Sequence, residues 1–454
     1  MPALTGKRAD LWLLNDGDLT YSKVRLDEES LAVAMEHLRD LDDPLARTLL
    51  WSAAWDMVRD GELPSRRYQQ LVLANLTGED SSSVVRTLLQ QALVSTLKRI
   101  PSFGYRLRRG LFWYYLDSHG GQPAIQEDAA NPLTGFDLKQ NDHFMFRVRV
   151  HHSRIALELF HALADATGAM TFLMTLTAEY LRLKEGVRIS EGPFVLDCRQ
   201  TPHPGEWEDS FPTYARAAGR ARREDVAYPL RGTPAEAGYI RVTTGLVDAA
   251  ALSDAARRYD ATVNTYLAAL LLQGMLKIAR ADRSRLRAGR PVKLSMPVNL
   301  RRYYPSRTLR NFSSYINAPI YPSYGEYSLR DIITHVKHFV GLETTEQMMN
   351  ARFSANVHAE QSRVLRAAPL FLKTAVLKLM YSLTGERYFS SVLSNLGVIR
   401  LPEALQGKVR RMDFLIGRGQ RNPISVGCLT VNGLCTISFS KTIRESTLER
   451  FFFT

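Results

Sequence analysis

Pro101 divides this chain into two textures, and that division constrains its fold more than any other feature. Before it, the apolar residues recur at helical spacing. Asp27 precedes Glu28 and Glu29, a cap followed by first-turn acids on the favourable side of the helix dipole. Asp43-Pro44 sets a cap before a proline at the first helical position, and Gly61 stops that run. Ser65 opens a third segment, in which Tyr68, Leu71, Val72 and Asn75 recur at three and four. Ser81–Ser83 cap a fourth, from Val84 to Ile100, which Pro101 ends. The spacing predicts helical hairpins packed on themselves, with no catalytic pattern.

After Pro101 strands and helices interleave. Phe144, Phe146, Val148 and Val150 alternate with Met145, Arg147 and Arg149, which predicts a half-buried strand. His151-His152-Ser153 reads as a turn, and Ile155, Leu157 and Leu159 resume the alternation up to His161. Strands are expected at 239–247, 292–298, 313–320, 390–398, 412–416, 424–431 and 434–439. Helices are expected at 168–183, 262–279, 329–342 and 369–383. Such interleaving is α/β. The polar stretch Cys198–Pro234, rich in Pro, Gly, Arg and Asp, reads as a linker.

With 454 residues, 45% hydrophobic and 23% charged, the composition is globular and allows about three domains or sub-domains at ~150 residues each. Cys198, Cys428 and Cys435 are too few and scattered for a disulfide framework or zinc ribbon, and suit a reducing cytoplasm. The apolar run Leu11–Leu14 is shorter than the ~7–15 residues of a signal peptide. The apolar helix around Leu267–Leu276 falls short of the ~20 residues that span a bilayer. The net charge of +13 is uneven: residues 1–90 carry 10 Lys and Arg against 15 Asp and Glu, a net −5, leaving +18 for the rest. A basic body suits a polyanionic ligand or an anionic membrane surface. Nucleic acid would rest on charge and on the aromatic-basic runs RLRRGLFWYYL and NLRRYYPSRTLRNF, and is not expected as a partner.

The constellation with most chemical content is His161-Ala-Leu-Ala-Asp165-Ala-Thr-Gly168. A histidine at a strand end, before a helix, is held rigidly yet faces a cleft, and neutral imidazole can accept a proton from a hydroxyl or amine. Alone, such a histidine is more often structural. His335 and His338 share a helical face but have no third ligand nearby in sequence, and Gly417-Arg-Gly419 lacks the third glycine of a dinucleotide fingerprint. No HExxH, phosphate-binding loop or GxSxG elbow occurs, and no metal is expected.

The segment from Glu158 through Leu173 resembles the HxxxDG motif of the CoA-dependent acyltransferase superfamily, which includes chloramphenicol acetyltransferase, condensation domains and, most similar to this chain, bacterial alcohol acetyltransferases. Phe103 and Tyr105–Leu116 look like its early strands, and Met296-Pro-Val-Asn299-Leu-Arg301 with Asn311-Phe312 like the segment whose arginine pairs with the motif aspartate. Ser394-Asn395-Leu396-Gly397 resembles its late strand beside the active-site channel. The resemblance covers about residues 91–454. It implies a chloramphenicol-acetyltransferase-like two-lobed fold, with acyl-CoA as co-substrate and an alcohol acceptor, either a small molecule or a lipid. It also implies His161 as general base and a buried Asp165–Arg301 salt bridge, with Gly168, Asn299, Ser394, Asn395 and Gly397 as active-site support. Ser394 and Asn395 are candidate oxyanion donors. Cationic clusters that could meet CoA phosphates are Arg106, Arg108 and Arg109; Arg301, Arg302, Arg307 and Arg310; and Lys408, Arg410 and Arg411. An apolar acceptor and a cationic surface also suit peripheral membrane association.

Three departures bear on that reading. Ala166 stands where the motif has glycine, at a cost on the order of 1 kcal/mol if that position needs positive φ. The family's opening elements are replaced, and the apolar Phe451-Phe-Phe-Thr454 reads as a cut closing helix. The replacement, LWLLNDGDLTYSKVRLDEESL with DPLARTLLWSAAWDMVRDGELPSRRY, resembles the C-terminal helical region of actinobacterial aminopeptidase N over about residues 1–90, and the join near Leu89–Ala92 falls inside one helical pattern. The expected organisation is an all-α head at 1–90, an acyltransferase N-terminal lobe at 91–200 and a C-terminal lobe at 235–454. The alternatives are an inactive or binding-only fusion relic, and condensation-type transfer to an amine or from a carrier-protein thioester.

Overall fold

The computed structural model describes residues 9–15, 23–75, 82–128, 131–135, 137–216, 224–417, 419 and 421–454. Ser81, Arg418 and part of the 198–234 stretch lie outside these residues.

The head contains α1 (Glu28–His37), α2 (Pro44–Arg59) and α3 (Ser65–Asn75). Asp27 accepts from the Ser30 amide, Asp43 from the Leu45 amide, and Gly61 takes φ +79° after α2. The apolar faces meet around Leu31, Leu38, Leu50, Trp51, Ala54 and Leu71. Asn75, buried, ties α3 to α1 by accepting from the Arg39 amide and donating to the Met35 carbonyl.

Helix α4 (Ser82–Arg99) continues unbroken through the expected join and ends before Pro101. Its described apolar residues pack outside the head core. Leu88, Leu89, Ala92 and Leu93 are buried with Phe103, Phe144, Phe146 and Phe172. Phe103 stacks on Phe172 at 4.1 Å and meets Phe146 edge-on at 5.7 Å. The last helix of the helical texture is therefore built into the core of the N-terminal lobe.

That lobe continues with the hairpin β1 (Tyr105–Arg109) and β2 (Tyr114–Ser118). Next comes a small sheet of β3 (Gln126–Glu127), β4 (Phe146–His151) and β5 (Arg154–Leu159). Helix α5 (Ala166–Glu185) packs against both α4 and this sheet. The expected half-burial of β4 is corrected. Met145 and Arg149 are buried like their neighbours, because residues 131–135 cover the second face. There Glu158 accepts from Arg147 and Arg149, while Thr134 accepts from both arginines. A buried ion cluster reads as an exposed polar face in sequence, since alternation records polarity and not coverage.

The stretch read as a linker is packed where it is described. It carries α6 (Ser210–Tyr214), and Ala227, Tyr228 and Leu230 are buried. Glu206 holds Arg99 of α4 through two hydrogen bonds of 2.5 and 2.9 Å, which raise the guanidinium pKa above its ordinary value.

The C-terminal lobe is one mixed six-stranded sheet with its covering helices. In chain order it begins with β6 (Arg241–Asp248), α7 (Ala249–Arg257), α8 (Val263–Arg280), α9 (Arg285–Ala288), β7 (Val292–Asn299) and β8 (Ser313–Ile320). Then come α10 (Leu329–Glu343), α11 (Glu346–Gln361), α12 (Arg363–Ala367), α13 (Leu370–Thr384), β9 (Ser391–Val398) and α14 (Glu403–Gln406). Strands β10 (Ile424–Val431) and β11 (Leu434–Lys441) and helix α15 (Thr447–Phe453) complete it. The sheet order is β6-β11-β10-β9-β7-β8, with β9 parallel to β7 and β10 and the other pairs antiparallel. The apolar α8 is its main cover, burying Leu267, Leu271, Leu272 and Met275. Residues 412–416 form no strand, although the Met412 carbonyl accepts from Thr436. The tight β10–β11 hairpin also brings two of the three scattered cysteines together, with Cys428 and Cys435 sulfurs 3.5 Å apart.

If α4 belongs to the lobe core, Leu89→Ala lowers the unfolding free energy of the full chain by about 2–5 kcal/mol in denaturant titration. Leu73→Ala, on an exposed α3 position, changes it by less than about 0.5 kcal/mol. Equal effects of the two would show that α4 is not part of that core.

Candidate active site

The β5–α5 connection forms the candidate site. The Phe160 amide donates to Met145, extending the β4–β5 ladder by one bond, and the Leu163 amide closes a turn onto the Phe160 carbonyl at 2.9 Å. His161 stands exposed in that turn between the exposed Phe160 and Ala162, just before the buried Leu163 and Ala164. Among the described residues it makes no hydrogen bond.

Asp165 is the N-cap of α5 and is only 5% exposed. Its Oδ1 accepts from the amides of Thr167 and Gly168, each at 3.1 Å. Its Oδ2 accepts from Arg301 Nη1 at 2.7 Å and from the Phe312 amide at 2.9 Å. The carboxylate thus faces away from any role as a proton relay. It is a structural anion with four donors.

Arg301 is matched just as fully. Beyond Asp165, it donates from Nε and Nη2 to the Thr308 carbonyl and from Nη2 to the Arg310 carbonyl, and Nη1 also reaches Asn299 Oδ1. Asn299 ends β7, accepts from the Arg301 amide, and donates to Thr167 Oγ1 at 3.2 Å. Only the planar five-donor fork of arginine fits such a set. Gly168 completes the join: a Cβ there would lie 1.9 Å from the Leu309 carbonyl oxygen. The Leu309 amide in turn donates to the Glu206 carbonyl at 2.7 Å.

The structure therefore brings Asp165, Gly168, Asn299 and Arg301 into direct contact, with His161 four residues before the bridge. Ser394, Asn395 and Gly397 lie apart, on β9. Asn395 Oδ1 accepts from the Gly397 amide at 2.8 Å, and Gly397 takes φ +73° where the β9–β10 register shifts. Leu396 between them packs into the cluster containing Met170 and Met174 of α5. No hydrogen bond joins this segment to His161 among the described residues. Ala166 is the first residue of α5 and lacks positive φ, so the missing motif glycine carries no backbone strain.

Of the cationic clusters, Arg106 and Arg108 are both engaged by Asp117, Lys408 pairs with Glu185, and Arg411 pairs with Asp413. Arg301 is consumed by the bridge, which removes it from the phosphate candidates. Arg302 and Arg307 remain exposed. Arg310 borders a cavity of about 610 Å³ shared with Tyr105, Tyr115, Asp117 and Trp207, and His161 does not line it. Sequence reasoning missed Arg99, Glu206 and the buried Thr308-Leu309 turn. Arg99 and Glu206 lie 107 residues apart, and Thr308 reaches Glu208 across 100, so no local spacing marks them.

Comparison with known proteins divides the chain in the same way. Residues 11–100 match a family model described as ERAP1-like C-terminal domain. Aminopeptidase N of Streptomyces lividans is 52% identical over 92 residues, covering 20% of this chain and 11% of that protein. The chain thus spans about a tenth of that relative's length. Among solved structures, polyketide synthase associated protein 5 from Mycobacterium tuberculosis is 13% identical with a TM-score of 0.49, covering 81% of this chain and 89% of that one. Trichothecene 15-O-acetyltransferase from Fusarium sporotrichioides is 10% identical with a TM-score of 0.48, over 81% and 84%. The epimerization domain of tyrocidine synthetase B is 10% identical with a TM-score of 0.46, over 81% and 86%.

If the bridge holds this turn, Asp165→Asn strands the Arg301 charge and lowers stability by about 3–5 kcal/mol. Calorimetric melting reads this as a lowered Tm, and an unchanged Tm would contradict the bridge. The chain is a helical segment that matches the ERAP1-like C-terminal domain family over residues 11–100, followed by an α/β body.

Proposed function

We propose that the α/β body transfers an acyl group from acyl-CoA to an alcohol, with His161 as general base. The observation that carries this reading is the fully satisfied Asp165–Arg301 pair four residues beyond an exposed histidine that makes no hydrogen bond among the described residues. A purely structural histidine has no need of such a mount. The resemblance of the flanking segments to the HxxxDG acyltransferases supplies the reaction class.

In this mechanism the His161 imidazole takes the acceptor hydroxyl proton as the oxygen attacks the thioester carbonyl. The tetrahedral intermediate collapses, the carbon–sulfur bond breaks, and the imidazolium returns the proton to the leaving thiolate. An ester and free CoA result. Asp165 does not move a proton; it fixes the turn. Such a base contributes ~10²–10⁴-fold. Arg302, Arg307 and Arg310, close in sequence to the bridge and not consumed by it, are the residues we assign to the phosphates of CoA. Ser394 Oγ and Asn395 Nδ2 are the oxyanion candidates; Asn395 Oδ1 accepts from the Gly397 amide, which leaves the side-chain NH2 as the donor. No helix among the described residues is long and apolar enough to cross a membrane, so a lipid alcohol would be met from one side of a bilayer.

The test is thiol release from acetyl-CoA and longer acyl-CoAs against a panel of alcohols and amines. Turnover by the full chain that falls at least ~10²-fold in His161→Ala, with an unchanged melt, supports the reading. Release that survives in His161→Ala would overturn the assignment of the base. A folded chain with no turnover would favour the binding-only relic.

A further inference from the structure

We propose that the tip of the β1–β2 hairpin and helix α13 together form a docking surface for an anionic lipid bilayer. This surface does not depend on the acyl-transfer reading, although its Tyr114 and Tyr115 also line the cavity that Arg310 borders.

The hairpin turns at Gly110, whose amide donates to the Trp113 carbonyl. Five consecutive residues there, Leu111 to Tyr115, are all large, apolar or aromatic, and exposed, Leu111 at 71%. Helix α13 presents Phe371, Leu372, Val376, Leu377 and Tyr381, with Phe371 exposed at 66%. The two elements are one surface. The Leu370 amide donates to the Leu111 carbonyl at 2.8 Å. Lys373, buried between them, donates to the Phe112 carbonyl at 3.0 Å and lies 3.6 Å from the Trp113 ring centroid. Its charge is thus taken up by a carbonyl and a ring face, and the apolar rim stays unbroken. An exposed apolar patch of this continuity marks an interaction site.

Charge identifies the partner. Residues 101–116 and 361–385 contain Arg106, Arg108, Arg109, Arg363, Arg366, Lys373 and Lys378 and no Asp or Glu, with Arg106 and Arg108 paired to Asp117 at the base of the hairpin. Arg108, Arg109, Arg363, Arg366 and Lys378 are exposed. Leu, Phe, Trp and Tyr ringed by Lys and Arg match the chemistry of a bilayer interface, where amphipathic rings sit at headgroup depth and cations meet anionic lipid. A second copy of this chain is disfavoured, because a self-complementary contact would set the same cations against one another.

The experiment is co-sedimentation of the full chain with vesicles of phosphatidylcholine alone or mixed with phosphatidylglycerol. The mixed vesicles should bind at least about tenfold more tightly, and added salt should weaken that binding. Leu111→Asp with Phe371→Asp should reduce it at least about tenfold while the circular-dichroism melt is retained. Should that pair fail to fold, Arg363→Glu with Lys378→Glu leaves the apolar tip intact and must weaken binding to the mixed vesicles alone. Absent binding to mixed vesicles, equal binding to both kinds, or undiminished binding by the folded variants overturns the proposal. So does a dimer in sedimentation velocity that the same variants dissociate, with no vesicle binding.

Discussion

One buried ion pair carries the architecture of this protein. Asp165 and Arg301 are 136 residues apart in sequence and belong to different lobes, yet each spends its full hydrogen-bonding capacity at their junction. A buried carboxylate or guanidinium is costly unless every donor and acceptor is matched. Here the matching groups are backbone amides of the α5 N-terminus and of β8's approach, together with carbonyls of the turn at 308–310. The pair therefore fixes backbone positions as well as side chains. Gly168 lets helix and turn touch, since any larger residue would collide with the Leu309 carbonyl. The exposed His161 inherits its position from this arrangement.

The same turn is anchored a second time from outside. Leu309 is held by the Glu206 carbonyl, Thr308 by the Glu208 carbonyl, and Glu206 by Arg99 near the end of α4. A continuous path of polar contacts so runs from the end of α4 to the inter-lobe bridge. Helix α4 also fills the apolar space beside α5 and the small sheet. The head and the body are different in texture and in charge, but the last helix of one is part of the core of the other.

Much of this was legible in the sequence, for physical reasons that also mark its limits. Strands 313–320 and 424–431 match their expected spans, because short runs bounded by turn residues leave little choice of period. The caps at Asp27 and Asp43 were readable because a capping side chain bonds within three residues of itself. The second face of β4 was not readable, since Arg147 and Arg149 look the same whether solvent or Glu158 covers them. Nor was the packing of the 198–216 stretch, whose polar residues find partners on α4 and the 305–309 turn. At the site, the Asp165–Arg301 pairing came from resemblance alone, as no spacing rule links positions so far apart. Thr308, Leu309, Arg99 and Glu206 had no signal at all.

The central claim is that Asp165 and Arg301 act as one unit. A double-mutant cycle in denaturant unfolding, with Asp165→Asn, Arg301→Gln and both together, tests it most directly. The account predicts that the double variant loses little more stability than either single one, giving a coupling of at least ~2 kcal/mol. Losses that add to within ~0.5 kcal/mol would show two independent residues, and would contradict the account.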